Sequence, residues 1–452
     1  MNVRIVLLIT VSFVLAPSGG RAFAAGADEL LGSAPARIEK HRKGDVRLLV
    51  IGAGGKPLVG AVVRVRQVDS EFLFGCSVFP LVYKAQGRQR GGPMKGDGLY
   101  QKFGKRYAEL FNFATLPYYW WGYEKEQGKP VHASRERIAA WCAERGITAK
   151  GHPLVWNYSE LKWLPDDPGQ VEKLQLAHVS DCVKRFRGKI DIWDVVNETT
   201  NFAQKPNKAR APKVTAMWEK VGRIELPRKA FAAARKANPN ATLIINDFHV
   251  GEDFAKVVDQ LVDEKGKPIY DVIGLQSHMH GGAWSNAKLW GVCQRFARFK
   301  KPLHFTELTI LSGKKGWHRP KPWLSTPEGE AGQAREVRRV YTMLFSHPSV
   351  EAITWWNLSD AHAWMQAPAG LLGKDMSPKD AYNVLKKLIT EDWRTETNLK
   401  TDAEGRAVFR GFYGRYELTI TAPDGGQERI KDLKLSKSPD GKPANWTVKI
   451  SR

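Results

Sequence analysis

At 452 residues the chain is long enough for one large domain of about 250 residues and a smaller unit beside it. Its hydrophobic content of 42% and charged content of 26% are ordinary for a globular protein, and its formal net charge of +23 would attract an acidic polymer. The basic residues are spread along the whole chain without a recognised nucleic-acid module. Nucleic-acid binding is therefore not expected, and a basic surface with no specific partner is the simpler interpretation of the charge.

The N-terminus has the pattern of a signal peptide. Arg4 provides the positive start, residues 5–16 are apolar, and residues 22–25 offer a cleavage site of the A-x-A kind. The apolar run is too short to span a bilayer, and no later run could do so. We therefore expect residues 1–25 to be removed and the mature protein to be secreted or periplasmic, without a membrane segment.

The cysteine pattern predicts neither a metal site nor a disulfide framework. Cys76, Cys142, Cys182 and Cys293 lie far apart and show no C-x-x-C spacing. Export would permit disulfides, but four buried thiols are the expected state.

From residue 72 onwards, apolar runs typical of strands alternate with helical segments. Strands are predicted at 72–78, 110–115, 147–152, 191–196, 242–247, 270–276, 303–306 and 350–356. Helices are predicted at 99–109, 132–144, 168–185, 226–236, 254–263, 287–299, 327–345 and 378–388, and a Gly-rich loop at 86–98. Eight strands joined by helical crossovers predict an α/β protein of the (β/α)₈ or TIM barrel class.

The two ends of the chain have a different pattern. Residues 45–51 and 61–68 are predicted strands, and two strands are too few to fold alone. The tail adds short predicted strands at 406–412, 415–421, 427–435 and 445–450. We therefore predict that residues 26–70 and 394–452 join into an accessory β-sandwich beside a barrel of residues 71–393. A structural role for the sandwich is favoured over glycan binding, because neither segment shows a row of exposed aromatic residues.

Two glutamates stand at the ends of predicted buried strands. The apolar run 191–196 leads into Asn197 and Glu198, and the run 303–306 leads into Glu307. The C-terminal ends of barrel strands are where such barrels carry their chemistry. One protonated and one ionised carboxyl are the minimum requirement for glycoside hydrolysis. For either glutamate alone, a helix cap or a salt bridge is the alternative.

Further polar and aromatic residues fall at the same strand ends or just beyond them. Asn197 is suited to hydrogen-bond a sugar 2-hydroxyl, and His278 is suited to hold the nucleophile ionised. His152 and Gln276 could bind ring hydroxyls, and two tryptophans could form a stacking floor. The candidate substrate-binding residues are His152, Trp156, Asn197, Asp247, Gln276, His278, Trp356 and Trp364. For any single histidine or glutamine, a buried structural role is the alternative.

Short motifs in a fixed order carry a family resemblance. They lie at 151–156, 193–198, 245–247, 274–278, 306–308 and 355–364. In order and spacing they resemble glycoside hydrolase family 10, the retaining endo-β-1,4-xylanases, over about residues 70 to 393. The resemblance implies that Glu198 is the general acid/base and Glu307 the nucleophile. It implies no metal or organic cofactor.

The chain departs from this family pattern at several positions. Where the family carries a Glu-Asn pair and a lysine after the second strand, residues 115–124 read Thr-Leu-Pro-Tyr-Tyr-Trp-Trp-Gly-Tyr-Glu. Asn157, Phe248 and Thr309 stand where the family usually has His, Tyr and Asp. These differences predict a pocket on the non-reducing side of the cut that is more aromatic and less polar.

The sequence predicts a secreted, monomeric retaining glycoside hydrolase that cleaves β-1,4-xylosidic bonds in xylan, with acidic glucuronoxylan as a possible substrate. One alternative is a β-glycosidase of the same fold that acts on another plant or algal glycan. A second alternative, from another class, is a glycan-binding protein that keeps the barrel without catalysis. The presence of both glutamates favours an enzyme.

Overall fold

The computed structural model describes residues 26, 28–87, 97–317, 320, 322–438 and 440–451. The predicted signal peptide lies outside the described residues, and so do residues 88–96 of the predicted Gly-rich loop.

Strands and helices alternate through most of the described chain. The strands, β1 to β16, are Lys43–Ile51, Val62–Ser70, Leu73–Ser77, Phe113–Pro117, Thr148–His152, Ile192–Asn197, Thr242–Asp247, Val272–Leu275, His278–Met279, Leu303–Ile310, Val350–Trp355, Glu396–Lys400, Arg406–Phe412, Gly414–Thr421, Gln427–Leu435 and Ala444–Lys449. The α-helices, α1 to α13, are Ala34–Arg42, Phe79–Ala85, Asp97–Ala108, Trp120–Tyr123, His132–Ala143, Pro168–Arg185, Lys205–Arg210, Pro212–Val221, Glu225–Ala237, Glu252–Gln260, Asn286–Ala297, Pro327–Ser346 and Asp380–Lys387. Short 3₁₀ turns at Asp360–His362 and Trp364–Gln366 and a π-helical turn at Leu388–Asp392 complete them.

Eight parallel strands close into a barrel. Their order is β3, β4, β5, β6, β7, β8, β10 and β11, and β11 pairs with both β10 and β3. The short β9 adds to the end of β10. The barrel strands are buried on both faces, by the interior on one side and the helices on the other, and all eight residues of β10 are buried. The predicted (β/α)₈ barrel is confirmed.

Local packing moves some boundaries away from the predicted positions. The second barrel strand begins at Phe113 rather than residue 110, because Leu110 and Phe111 close the turn after α3 by bonding the carbonyl of Tyr107. The segment after Glu198, where no helix was predicted, contains α7 and α8. Each of these helices has a proline in its first turn, where a missing N–H costs nothing.

Strands from both chain ends form the accessory sandwich. One sheet has the order β13-β1-β16, and the other has the order β12-β2-β14-β15. Alternate residues of both sheets point into one apolar core that includes Val46, Leu48, Val63, Leu418 and Ile420. The predicted sandwich is confirmed, but β12 was not predicted. It is an edge strand without a buried residue, so its sequence lacks a strong alternation of apolar and polar residues.

The four cysteines are unpaired and buried, each on or behind the barrel wall. Among the described helices, none is long and apolar enough to cross a membrane.

Candidate active site

Glu198 follows the last residue of β6 and has an unusual backbone conformation. Its φ of 57° is one that non-glycine residues seldom adopt. The N–H of Glu198 donates to the carbonyl of Asn246 on the neighbouring strand β7, at 2.9 Å. This bond fixes the turn that brings the carboxyl over the C-terminal mouth of the barrel, and strain of this kind is common at functional sites.

The surroundings of the Glu198 carboxyl favour its protonated form. Burial and the negative charge of Glu307 together raise the pKa of Glu198 to about 8, against the opposing hydrogen bond from Gln276. The amide nitrogens of Gln276 and Asn197 lie 3.1 Å and 3.3 Å from Oε1 of Glu198. A carboxyl that keeps its proton at neutral pH can serve as a general acid.

The surroundings of Glu307, within β10, favour its ionised form. The amide of Asn246 donates to one carboxylate oxygen at 2.9 Å, and Nε2 of His278 donates to the other at 3.0 Å. Nε2 of His152 lies 3.8 Å from the first oxygen. Burial alone would raise the pKa of Glu307, but the charge of His152 and the hydrogen bond from His278 outweigh it and lower this pKa. An ionised carboxylate can act as a nucleophile.

Hydrogen bonds through Asn197 and Asn246 connect the two carboxyls. The amide of Asn246 donates both to Glu307 and, at 2.8 Å, to Oδ1 of Asn197. The same Oδ1 accepts a hydrogen bond from Gln276 at 3.1 Å. Two carboxyl groups held by one network, with pKa values shifted in opposite directions, can be protonated and ionised at the same pH.

Asp194 and Lys150, which the sequence analysis did not single out, support the site from the barrel interior. Both side chains are wholly buried, and Asp194 accepts hydrogen bonds from Lys150 and from Nδ1 of His152, each at 2.7 Å. Burial alone would raise the pKa of Asp194, but the charge of Lys150 and the contact with His152 lower it. A charged residue inside an otherwise apolar strand was the signal that could have identified them.

A cavity of about 450 Å³ opens above the two carboxyls. It is lined by both glutamates and by all the predicted substrate-binding residues except Asp247; these are His152, Trp156, Asn197, Gln276, His278, Trp356 and Trp364. Trp356 is almost buried, whereas Trp364 is 39% exposed and lies against His278 at a ring distance of 4.9 Å. Nine of the ten residues that were predicted from their position at or just beyond strand ends therefore line one cavity.

The geometry agrees with comparisons to known proteins. Residues 117–388 match the family model for Glycosyl hydrolase family 10. The chain belongs to this family. The predicted family resemblance is thereby confirmed, and the barrel is a glycoside hydrolase domain.

Relatives in the family differ in how much of their length the chain covers. The chain is 28% identical over 273 residues to endo-1,4-beta-xylanase B of Thermotoga neapolitana, covering 57% of this chain and 73% of that protein. It is 22% identical over 407 residues to endo-1,4-beta-xylanase 5-like of Arabidopsis thaliana, covering 85% and 63%. It is 25% identical over 402 residues to anti-sigma-I factor RsgI6 of Acetivibrio thermocellus, covering 86% of this chain but only 46% of that protein.

Solved structures of family 10 members share the fold. Native xylanase 10B from Thermotoga maritima aligns with a TM-score of 0.58 at 22% identity, over 71% of this chain and 96% of that one. A family 10 structure from Paenibacillus barcinonensis aligns with a TM-score of 0.57 at 23% identity, over the same shares.

An aromatic wall, defined here as Tyr119, Trp121, Trp156 and Tyr158, lines one side of the cavity. Neighbouring rings along it lie 4.7 to 6.0 Å apart. All four residues line the cavity, and Tyr119 also packs against His152. In the run 118–121, the alternate residues Tyr118 and Trp120 turn away and pack in the core. The aromatic wall is thus built by alternate residues of two short segments, 119–121 and 156–158.

The other departures from the family pattern have separate structural consequences. Asn157 donates to the carbonyl of Phe202 and to Thr215, so it joins loops rather than facing the cavity. The hydroxyl of Thr309 lies 2.9 Å from Nδ1 of His278, whose other nitrogen donates to Glu307. Phe248 lines the cavity and is 37% exposed.

Asp247 lies beside the site but not on the cavity surface. Its carboxylate accepts hydrogen bonds from the hydroxyls of Thr199 and Thr200 and from the backbone N–H of Thr200 and His249, at 2.6 to 3.1 Å. The structure therefore places Asp247 as an anchor of the loop that follows Glu198. Asn246, the residue before it, is the one that contacts Glu307.

No cluster of three or more metal-ligating side chains occurs in the described ranges.

Proposed function

We propose that this protein is a retaining glycoside hydrolase that cleaves β-1,4-xylosidic bonds in xylan. The observation that carries the proposal is the pair of carboxyls formed by Glu198, just after β6, and Glu307, within β10. One is held protonated and the other ionised within one hydrogen-bond network. Xylan is proposed because xylanases are prominent among the named relatives, although the chain spans only part of some of them.

The mechanism we propose is double displacement. Glu307 attacks the anomeric carbon while Glu198 gives its proton to the departing glycosidic oxygen, which leaves a covalent glycosyl-enzyme. Glu198, now ionised, takes a proton from water, and that water releases the sugar with net retention. For this outcome the two carboxyls must lie about 5–5.5 Å apart, against about 6.5–9.5 Å in inverting enzymes.

The neighbouring side chains are assigned supporting roles. Asn197 is placed beside Glu198 to hydrogen-bond the sugar 2-hydroxyl, an interaction that strengthens at the transition state. His278 and His152 keep Glu307 ionised between substrate turnovers. Trp356 and Trp364 provide apolar surface beside the carboxyls, where a sugar ring can stack and bulk water is excluded.

Export is part of the proposal. A polysaccharide cannot enter the cell intact, and residues 1–25 have the pattern of a signal peptide. We therefore propose that the mature protein works as a secreted or periplasmic monomer on its polysaccharide substrate.

The first experiment is a comparison of glycans with active-site variants. The mature protein, Glu198→Ala, Glu307→Ala and the control Glu264→Ala are incubated with glucuronoxylan, arabinoxylan, β-1,3-xylan, β-glucan and cellulose, and the products are separated by size. We expect short oligosaccharides from the β-1,4-xylans, and a loss of several orders of magnitude in rate for the two active-site variants. Glu264 is an exposed residue between α10 and β8, so its variant should keep full activity. Near-full activity in either active-site variant would refute its assigned role.

The aromatic wall favours a second candidate substrate. Stacking rather than hydrogen bonding on the non-reducing side suits a different glycan, cleaved by the same two carboxyls. Release of products from another polysaccharide, with none from any xylan, would establish this candidate. Binding without any release of reducing sugar would instead indicate a glycan-binding protein.

A further inference from the structure

One basic side chain stands out on the surface of the active-site cavity. Arg210 is the last residue of α7, in the segment that follows Glu198. Among the described residues that line the cavity, it is the one arginine, and there is no lysine. It is exposed, so it lies at the mouth of the cavity rather than beside the carboxyls.

The guanidinium of Arg210 is oriented by its neighbours but not neutralised by them. It lies over the ring of Tyr158 at 4.1 Å. Nε donates to the carbonyl of Pro206 at 3.0 Å, and Nη2 donates to Oδ1 of Asn207 at 3.4 Å. A guanidinium has five N–H donors, so three are left for a ligand. In the part of the chain that the structure describes, no carboxylate forms an ion pair with it.

The lysines near Arg210 in the same segment are either paired with a carboxylate or do not line the cavity. Lys208 forms an ion pair with Glu219, and Lys213 forms one with Asp166 at 2.8 Å. Lys205 does not line the cavity. The segment therefore presents one oriented and uncompensated positive charge to a bound substrate.

The aromatic wall connects this charge to the catalytic carboxyls. Tyr158 stacks on Trp156 at 4.7 Å, and Trp156 lies beside Tyr119, which packs against His152. A sugar chain bound along the wall, with one ring at Glu198 and Glu307, would bring a side branch to Arg210.

We propose that Arg210 binds the carboxylate of a uronic-acid branch on the polysaccharide. A planar guanidinium held over an aromatic ring can present two parallel N–H groups to a carboxylate, and such paired bonds are stronger than those to a neutral hydroxyl. The inference rests on the proposed glycan-hydrolysing function. It adds to that function the residue that selects glucuronic-acid-substituted chains over neutral ones.

The test compares one oligosaccharide in two chemical forms. Glucuronic-acid-substituted xylo-oligosaccharides are used as such and after reduction of the carboxyl to a primary alcohol. Binding of both forms is measured by calorimetry on the inactive Glu307→Gln background, alone and combined with Arg210→Ala, Arg210→Lys or the control Arg187→Ala. Arg187 is exposed and lies at the opposite end of β6.

We expect Arg210→Ala to weaken binding of the acidic form by roughly tenfold and to leave binding of the reduced form unchanged. Arg210→Lys should restore part of the loss, because it keeps the charge but not the paired geometry. Arg187→Ala should bind like the parent protein, and the preference for the acidic form should shrink as salt is added.

Two results would overturn the inference. One is equal affinity of the parent protein for the acidic and reduced forms, a comparison that needs no variant. The other is an equal loss of affinity for both forms in Arg210→Ala. Hydrolysis of unsubstituted xylan by the wild-type protein is measured alongside. If the wild-type protein hydrolyses this xylan, either overturning result concerns the role of Arg210 alone. If it does not hydrolyse the xylan and binds neither oligosaccharide, the proposed function itself is refuted.

Discussion

Glu198 and Glu307 carry the same functional group in unlike surroundings. The carboxyl of Glu198 is buried beside a second negative charge, whereas the carboxylate of Glu307 faces two histidines and a donating amide. Because the unlike surroundings separate the two pKa values, one carboxyl can give a proton over the pH range in which the other is ionised.

The pH dependence of activity follows from the directions of the two pKa shifts. Activity requires protonated Glu198 and ionised Glu307, so kcat/KM should fall as pH rises through about 8 and as pH falls below the ordinary glutamate range. The profile is measured with a soluble xylo-oligosaccharide. A profile that already declines above pH 5 would contradict the assignment of Glu198 as the acid.

The coupling between the two carboxyls can be tested separately. Glu307→Gln removes a negative charge that raises the pKa of Glu198, so the pKa of Glu198 should fall in this variant. Carbon-13 NMR of the Glu198 carboxyl, recorded against pH in both proteins, measures the shift. An unchanged pKa would mean that the charge of Glu307 does not contribute to it.

At the scale of elements, the neighbouring strands β5 and β6, which both carry site residues, pack through one close contact. Gly151 of β5 lies against Trp193 of β6, and a Cβ at this glycine would come within 2.2 Å of the indole ring. Trp193 is wholly buried, packs against Tyr118 and donates to the carbonyl of Ile190. The ring therefore has no space into which it can move.

We expect Gly151→Ala to destabilise the protein by about 1–3 kcal/mol, because the added methyl overpacks the core between the barrel wall and the helices, where Trp193 lies. It should also lower activity, since His152 is the next residue in the strand. Urea unfolding and turnover of a short substrate measure the two effects. The matched control is Gly291→Ala in α11, where an added methyl meets no atom within 4 Å and helix propensity predicts equal or higher stability. Equal midpoints for the two variants would contradict the close contact.

At the scale of the whole molecule, the sandwich and the barrel are joined through Arg42. This partly buried side chain, at the end of α1, donates at 2.6 Å to the carbonyls of Phe345, His347 and Val350. It also lies over the rings of Phe72 and Phe345, which belong to the barrel. Burial lowers the pKa of Arg42 to about 10, so it remains charged at neutral pH.

Arg42→Ala should lower the melting temperature, because it leaves three carbonyls at the junction without this donor at a cost of about 3 kcal/mol. Catalysis at 25 °C should be preserved, since the junction lies at the opposite end of the barrel from Glu198. Arg47→Ala, on the exposed face of β1, is the control and should melt like the wild-type protein. A variant that melts normally would show that the hydrogen bonds of Arg42 do not stabilise the junction.

The sequence by itself determined the barrel, the family and the two glutamates. Periodicity reports burial, and the C-terminal end of a buried barrel strand is a fixed place, so Glu198, the residue after β6, could be located without coordinates. The strand predicted to stop before Glu307 continues to Ile310 in the structure. The same pattern located His152, Gln276 and His278 on the cavity surface.

Only the tertiary structure decided what each of these residues contacts. It showed that Asn246 rather than Asp247 reaches Glu307, and that Lys150 and Asp194 form a buried pair behind His152. In the structure, the aromatic residues at 118–121 lie alternately in the core and on the cavity surface, and Arg210 lies at the far end of the aromatic wall. The physical reason is that contacts between residues distant in sequence depend on side-chain direction and loop path, which no local periodicity encodes.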